Sequence, residues 1–117
     1  MNPTRAEAIA SLTTTGMPYA LEQGFINDRP CRFFTHAPRT LGQLFADNVS
    51  DKTFLVYENE RLSFSEVHDQ AMRLANVLAR EFGVEHGDRV AISMRNYPEW
   101  VISFMAVTAM GGVAVCM

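Results

Sequence analysis

The pattern of apolar and polar residues is most regular between residues 63 and 82, where it predicts an amphipathic helix. The apolar face of this helix carries Val67, Ala71, Leu74 and Leu78, with Ala75 and Phe82 beside them. The polar face carries Glu66, Asp69, Gln70, Arg73, Asn76, Arg80 and Glu81. Ser63 and Glu66 have the spacing of a capping box, in which the hydroxyl and the carboxylate each accept from the other residue's amide. Gly83 is suited to end the helix, because glycine adopts positive φ without strain.

The last part of the chain predicts a strand, a helix and a second strand. Residues 90–92 are consecutive apolar residues, so we expect a strand at residues 89–94 that is buried on both faces, as in a parallel sheet. A helix follows from about Pro98 to Met110, with Asn96 and Glu99 expected to cap its start. This helix is apolar nearly all round, which indicates burial on more than one side. Residues 113–117 form the next predicted strand, parallel to the first through a right-handed crossover.

The first half of the chain has weaker patterns. Residues 1–38 are broken by prolines and glycines, and we interpret them as a lead-in segment with one short strand at residues 31–35. A helix is predicted at residues 40–48, where Leu41, Leu44 and Phe45 form one apolar stripe. A β-hairpin is predicted at residues 53–62, with Asn59 in the left-handed turn position.

These elements predict an α/β fold with an incomplete sheet: a β-hairpin, then helix, strand, helix and strand, with a parallel βαβ unit. We expect residues 39–117 to be the start of a domain that is not complete here. One amphipathic helix and one buried helix are too few to cover a parallel sheet. The final strand also runs to the last residue without a turn or polar tail. We therefore interpret the chain as the N-terminal part of a larger domain, with an exposed sheet edge.

Composition and charge narrow the function only slightly. The net charge of −3 and the scattered basic residues give no indication of nucleic-acid binding. Cys31 and Cys116 have no disulfide or metal spacing, which favours a reduced, cytoplasmic protein. Residues 100–117 carry no charge and meet the crude length test for a membrane span. Because Gly111 and Gly112 interrupt this run, we interpret it as a buried helix followed by a buried strand and predict no span.

Three groups of residues in the sequence look superficially like functional sites. Gly111–Gly112 lies after a helix, whereas a phosphate-binding loop lies before one, so we interpret this pair as a helix end. Ser65, His68 and Asp69 lack the geometry of a hydrolase triad, since Asp69 adjoins His68 and points elsewhere. The three histidines, His36, His68 and His86, have no metal-ligand spacing.

For two further groups of residues, both a functional and a structural role are considered. The polar and aromatic residues Asn96, Glu99 and Trp100 follow a predicted parallel strand, where ligands bind in open α/β sheets, although capping and packing explain them as well. Met94, Met105, Met110 and Met117 are interpreted as core filling rather than as an acyl tunnel. We assign no catalytic, cofactor-binding or metal-binding residue.

Five short motifs in order, SFSEV, AMRLANVL, GVEHGDRVA, NYPEW and AVTAMGGVAV, resemble the adenylate-forming (AMP-binding) superfamily across about two thirds of the chain. The segment around NYPEW is most similar to bacterial ligases that join fatty or other carboxylic acids to coenzyme A. The resemblance implies ATP, Mg²⁺ and coenzyme A as cofactors of the full-length enzyme. It also implies a reaction in two steps: an acyl-adenylate forms from carboxylate and ATP, and coenzyme A then displaces AMP to give a thioester.

The motifs that carry this chemistry in the superfamily are absent from the 117 residues. There is no Ser/Thr/Gly-rich phosphate loop, and the matched residues are scaffold. The sequence therefore predicts the N-terminal portion of an acyl-CoA synthetase that binds no cofactor and is inactive alone, its partners being a carboxylic acid and the remainder of its own domain. The alternative is a non-catalytic truncated paralogue, or an interaction module that pairs through its open sheet edge.

Overall fold

The computed structural model describes residues 2–117, which divide into two compact units between Pro38 and Arg39. The first unit contains helix α1 (Arg5–Thr13) and a hairpin of strands β1 (Leu21–Ile26) and β2 (Arg29–Phe34). The predicted strand at residues 31–35 corresponds to β2, but α1 and β1 were not predicted. Asn27 and Asp28 form the hairpin turn with φ of 48° and 62°. Asparagine and aspartate tolerate this left-handed conformation better than most residues, so the turn closes without glycine.

The second unit begins with helix α2 (Leu41–Asp47), which confirms the helix predicted at residues 40–48. Thr40 caps it, because its hydroxyl accepts a hydrogen bond of 3.1 Å from the backbone N–H of Gln43. The predicted apolar stripe is only partly buried. Phe45 packs against the core, whereas Leu41 and Leu44 remain 44% and 40% exposed.

Strands β3 (Thr53–Tyr57) and β4 (Glu60–Ser63) form the predicted antiparallel hairpin. The left-handed turn residue is Glu58, with φ of 48°, and not Asn59 as predicted. Leu55 and Tyr57 lie on one face of β3, and their cross-strand partners Leu62 and Glu60 lie on the same face of β4. This face is the inner one, since Leu55 and Leu62 both pack against the core.

Helix α3 (Phe64–Phe82) matches the helix predicted at residues 63–82 at both ends. The Ser63–Glu66 capping box is present, and Gly83 ends the helix in the left-handed conformation with φ of 65°. Val67 and Ala71 are fully buried, and the seven residues predicted for the polar face are exposed. Phe82 differs from the prediction, because its side chain at the last turn is 73% exposed.

Strands β5 (Arg89–Ile92) and β6 (Val113–Cys116) pair in parallel, joined by helix α4 (Pro98–Ala109), so the predicted βαβ unit is confirmed. The prediction of a strand at residues 89–94 buried on both faces was wrong in extent and in burial. The strand ends at Ile92, and only Ile92 is buried while Ala91 is exposed. The cause is the size of the sheet, which has two strands in this chain and leaves one face and both edges open.

The core lies where α3 crosses α4. Its buried members are Val67, Ala71, Ile102, Met105 and Ala106. Alanines at the crossing allow the two helices to approach closely. Val107 is also buried, and it lies on the side of α4 opposite Met105, which agrees with the predicted burial on more than one side. Among residues 2–117, no helix is both long and apolar enough to cross a membrane.

Candidate functional site

A small cavity lies between the end of β3 and the start of α4. Its volume is about 280 Å³. It is lined by residues 55–57 on the hairpin side and by residues 96–98, Trp100 and Val101 on the helix side. We call the three aromatic side chains around it, Tyr57, Tyr97 and Trp100, the aromatic corner. The cavity is at the lower end of the size range of small-molecule sites, so it suits one compact group rather than a large ligand.

The rings of the aromatic corner have defined relative orientations. The Tyr57 and Tyr97 centroids are 5.4 Å apart and the ring planes meet at 89°, so the two rings form adjoining walls. Trp100 stacks on Phe104 with centroids 5.6 Å apart and planes 6° apart. Phe104 therefore covers one face of the indole. Tyr97 and Trp100 share one side of the chain because they are three residues apart at a helix start.

Carboxylate charge lies on the hairpin side of the corner. Glu60 is paired with Tyr57 across the β3–β4 ladder, which places both side chains on the same face of the hairpin. Arg61 is paired with Val56 and belongs to the opposite face. Its guanidinium donates hydrogen bonds of 3.3 and 3.2 Å to the backbone carbonyls of Glu58 and Glu60, so it is held at the turn. The acidic residue Glu60 thus lies on the face of the hairpin that carries Tyr57, and the basic residue Arg61 lies on the opposite face.

The structure places two of the three residues predicted for this region at the cavity. Asn96 and Trp100 line it, and Glu99 does not. The predicted capping by Asn96 and Glu99 was wrong: Tyr97 is the N-cap residue of α4 and no side chain accepts a hydrogen bond there. Pro98 lies in the first turn as predicted, where its missing N–H leaves no donor unpaired. Sequence reasoning missed Tyr57 and Tyr97, although the alternation of Leu55 and Tyr57 along β3 was a signal that both face inward.

The glycine pair after α4 is a helix end, as predicted. The N–H of Gly112 donates to the carbonyl of Val107 over 2.9 Å, and the N–H of Gly111 donates to the carbonyl of Thr108 over 3.2 Å. Gly111 has φ of 87°, which a residue with a side chain rarely adopts. Both amides are therefore used by the helix itself and none is directed at a ligand.

The other candidate groups do not assemble into sites. Ser65 donates to the carboxylate of Asp51 over 3.5 Å, while Asp69 is exposed to solvent. The four methionines occupy unlike positions: Met105 is buried in the core, whereas Met94 and Met117 are exposed. Cys31 and Cys116 are both free thiols.

Two carboxylates have pKa values below the usual range, and both are structural. The backbone N–H of Ser63, with its hydroxyl, holds the pKa of Glu66 down, because these donors favour the charged carboxylate. The backbone N–H and hydroxyl of Thr4 lower the pKa of Glu7 in the same way. Each pair is the capping box of a helix, α3 or α1. Neither carboxylate is prepared for proton transfer.

The described residues do not fit the phosphates of a nucleotide or a divalent cation. A phosphate cradle needs backbone amides between a strand and a helix start, usually from glycines. The connection from β5 to α4, residues 93–97, contains no glycine. Residues 2–117 hold no group of three or more histidine, cysteine, aspartate or glutamate side chains that could ligate a metal ion.

The profile of the AMP-binding enzyme family matches residues 43–117, a range that includes α3, α4 and the parallel strand pair. The chain belongs to the AMP-binding enzyme family. The match confirms the resemblance drawn from the five sequence motifs. It lies within the second structural unit, residues 39–117, and leaves residues 1–42 outside.

Individual members of the AMP-binding family support this assignment. A long-chain-fatty-acid–CoA ligase of Bacillus subtilis is 34% identical over 80 residues, 66% of this chain and 14% of that enzyme. Tyrocidine synthase 2 of Brevibacillus parabrevis is 39% identical over 79 residues, 65% of this chain and 2% of the synthase. The crystal structure of the anthranilate CoA ligase AuaEII with anthranoyl-AMP aligns with a TM-score of 0.62 at 26% identity, covering 67% of this chain and 16% of that one.

The chain therefore spans a small part of the length of its AMP-binding relatives. The observed α/β arrangement, with its hairpin, two packed helices and parallel strand pair, matches the corresponding part of AuaEII. That no catalytic or cofactor-binding residue lies in this chain stays a prediction.

Proposed function

We propose that this chain is the N-terminal portion of an ATP-dependent acid–CoA ligase. In the proposed reaction a carboxylate attacks the α-phosphate of ATP to form an acyl-adenylate and pyrophosphate. Coenzyme A thiol then displaces AMP and gives a thioester. The single observation that carries the proposal is the family match over residues 43–117, supported by the similarity to a fatty-acid–CoA ligase.

In this proposal the described residues act as scaffold. The α3–α4 contact forms a core that fixes the direction of β5 and β6, the first parallel pair of the sheet. The exposed valines of β6 and the open edges of the pair support a further proposal, that the remainder of the same domain covers them. The free thiols of Cys31 and Cys116 support a reducing compartment, for which we propose the cytoplasm.

The test is ATP–pyrophosphate exchange with a mixture of fatty acids of different lengths. We expect no exchange from the 117-residue chain alone. A polypeptide that extends the chain to the full length of its relatives is expected to show acid-dependent exchange and to form a thioester with coenzyme A. Exchange by the short chain would overturn the scaffold role, and an extended protein without acid-dependent exchange would overturn the ligase proposal.

A second candidate is an amino-acid-activating domain of a peptide synthetase, because tyrocidine synthase 2 is similar to this chain at 39% identity. The adenylation step would be the same, and the acceptor of the acyl group would differ. Exchange by the extended protein with amino acids but not fatty acids, and no product with coenzyme A, would favour this candidate over the first.

A further inference from the structure

The proposed function gives the aromatic corner no role. It combines a cavity of about 280 Å³ with three aromatic side chains, and Glu60 is the cross-strand partner of one of them, Tyr57. The helix-capping function predicted for this segment does not account for it, since Asn96 forms no cap. The corner also lies within one structural unit, so its geometry does not depend on the placement of residues 1–38.

We propose that the aromatic corner binds a methylated ammonium group, as carried by choline and related cations. A cation is attracted to the negative face of an aromatic ring, most strongly by tryptophan and tyrosine. Tyr57 and Tyr97 meet edge to face at 89°, so a compact cation in the angle beside this contact would lie near both rings. Trp100, which is stacked on Phe104, also lines the cavity and gives it a third aromatic side chain.

The size of the cavity and its polar groups favour this class of ligand. A quaternary ammonium group is compact and carries no N–H, so it needs ring faces rather than hydrogen-bond acceptors. The cavity lining is mostly apolar, and the polar side-chain groups of its lining residues are the Asn96 amide, the two tyrosine hydroxyls and the Trp100 indole N–H. A phosphate or carboxylate ligand would need amide or cationic donors, which the cavity lining lacks apart from these few groups.

The charges around the corner agree with a cationic ligand. Glu60 projects from the same face as Tyr57, so its carboxylate favours a positive charge in the cavity. Arg61 belongs to the opposite face and is engaged with turn carbonyls. Arg95 precedes the lining residue Asn96 and is the cation next to the helix side, so its charge opposes binding and limits the affinity.

The fluorescence of Trp100, the single tryptophan of the chain, gives a direct readout of binding. Choline is titrated against the full chain and compared with 3,3-dimethyl-1-butanol, the neutral molecule of nearly the same shape, at constant ionic strength. We expect choline to shift the emission of Trp100 with millimolar affinity and to bind roughly tenfold more tightly than the neutral analogue. Equal binding of the two would show an ordinary apolar cavity, and no response to choline would leave the corner without this role; either result overturns the proposal.

Three variants locate the site. Tyr97→Leu removes one wall and is expected to weaken choline binding about tenfold. Glu60→Gln, at an exposed position that the fold does not need, is expected to weaken it two- to fivefold while leaving the neutral analogue unaffected. Tyr19→Leu is the matched control in the other structural unit and is expected to leave binding unchanged. Far-UV circular dichroism shows that each variant is folded.

These variants keep the proposal open to refutation even if one of them does not fold. If Tyr97→Leu unfolds, Glu60→Gln still decides whether the corner senses charge. A Tyr19→Leu variant that loses as much affinity as Tyr97→Leu would place binding elsewhere and refute the assignment. Because choline binding needs neither ATP nor an acid, this result is independent of the proposed ligase activity.

Discussion

Replacement of Met105 by alanine tests the packing on which the second unit depends. Met105 lies on α4 in the core cluster with Val67 and Ala71 of α3, and its side chain is only 5% exposed. The substitution keeps helix propensity high, because alanine is the best helix former. Any loss of stability therefore comes from the removed side-chain atoms and not from the backbone.

The expected loss follows from the burial of Met105. Three side-chain heavy atoms beyond the β-carbon are removed from an almost dry environment, which costs about 2 kcal/mol at roughly 0.8 kcal/mol for each methylene-sized group. The void adds about 1 kcal/mol more, at about 24 cal/mol per Å³ of residual cavity. The free energy of unfolding is thus expected to fall by about 3 kcal/mol, a large fraction of the 5–15 kcal/mol typical of a domain.

Urea denaturation of the full chain, followed by far-UV circular dichroism, measures this change. Met117→Ala is the matched control, since Met117 is 72% exposed and the same chemical change is expected to alter stability by less than about 0.5 kcal/mol. If the two variants lose equal stability, α4 does not pack against α3 through Met105, and the assignment of the core is wrong.

Three smaller changes test the helix α3. Glu66→Gln is expected to lower the stability of the protein at neutral pH, because the pKa of Glu66 is lowered on folding. The contribution of the Glu66 carboxylate to stability is therefore complete above its ordinary pKa of 4.5 and disappears as pH falls through the pKa of the folded state. Denaturation midpoints of the two proteins should therefore converge in acid. Leu74→Ala, at a half-buried position, should cost about 2 kcal/mol, whereas the exposed Arg73→Ala should be nearly neutral; equal losses would refute the helix phase. Gly83→Ala should lower the free energy of unfolding by about 1 kcal/mol, because alanine is strained at the φ of 65° that Gly83 adopts. No neighbouring atom obstructs the added methyl group, so no further loss is expected, and an unchanged thermal melt would contradict this conformation.

Local signals explain why α3 could be predicted to within a residue. Its start depends on Ser63 and Glu66, three residues apart, and its end on Gly83 alone. The periodic apolar face between them spans 19 residues, long enough to outweigh any competing pattern. The same local logic was available for α1, where Thr4 and Glu7 form a second capping box. That signal alone does not predict a helix, because the residues after it form no apolar face, and α1 has no buried residue.

Burial of the parallel strands could not be predicted in the same way. The three consecutive apolar residues 90–92 are typical of a strand in a sheet whose two faces are both covered. In this chain the sheet has two strands, so Ala91 and the valines of β6 lie at the surface. The sequence pattern thus describes a longer sheet than the one observed, which is consistent with the small share of its relatives that the chain spans.

The meeting of Tyr57 with Tyr97 in the aromatic corner could not be predicted from the sequence, because it depends on long-range register. Tyr57 and Tyr97 are far apart in the chain and meet only when the inner face of the hairpin packs against α4. A shift of β3 by one residue would turn Tyr57 outward and bring Val56 to the inner face. The register is held by Leu55 and Leu62, which pack on the core beside the corner. The residues that orient the two rings are therefore the same ones that stabilise the fold. Substitutions in the core should disrupt the aromatic corner even when its own three side chains are unchanged.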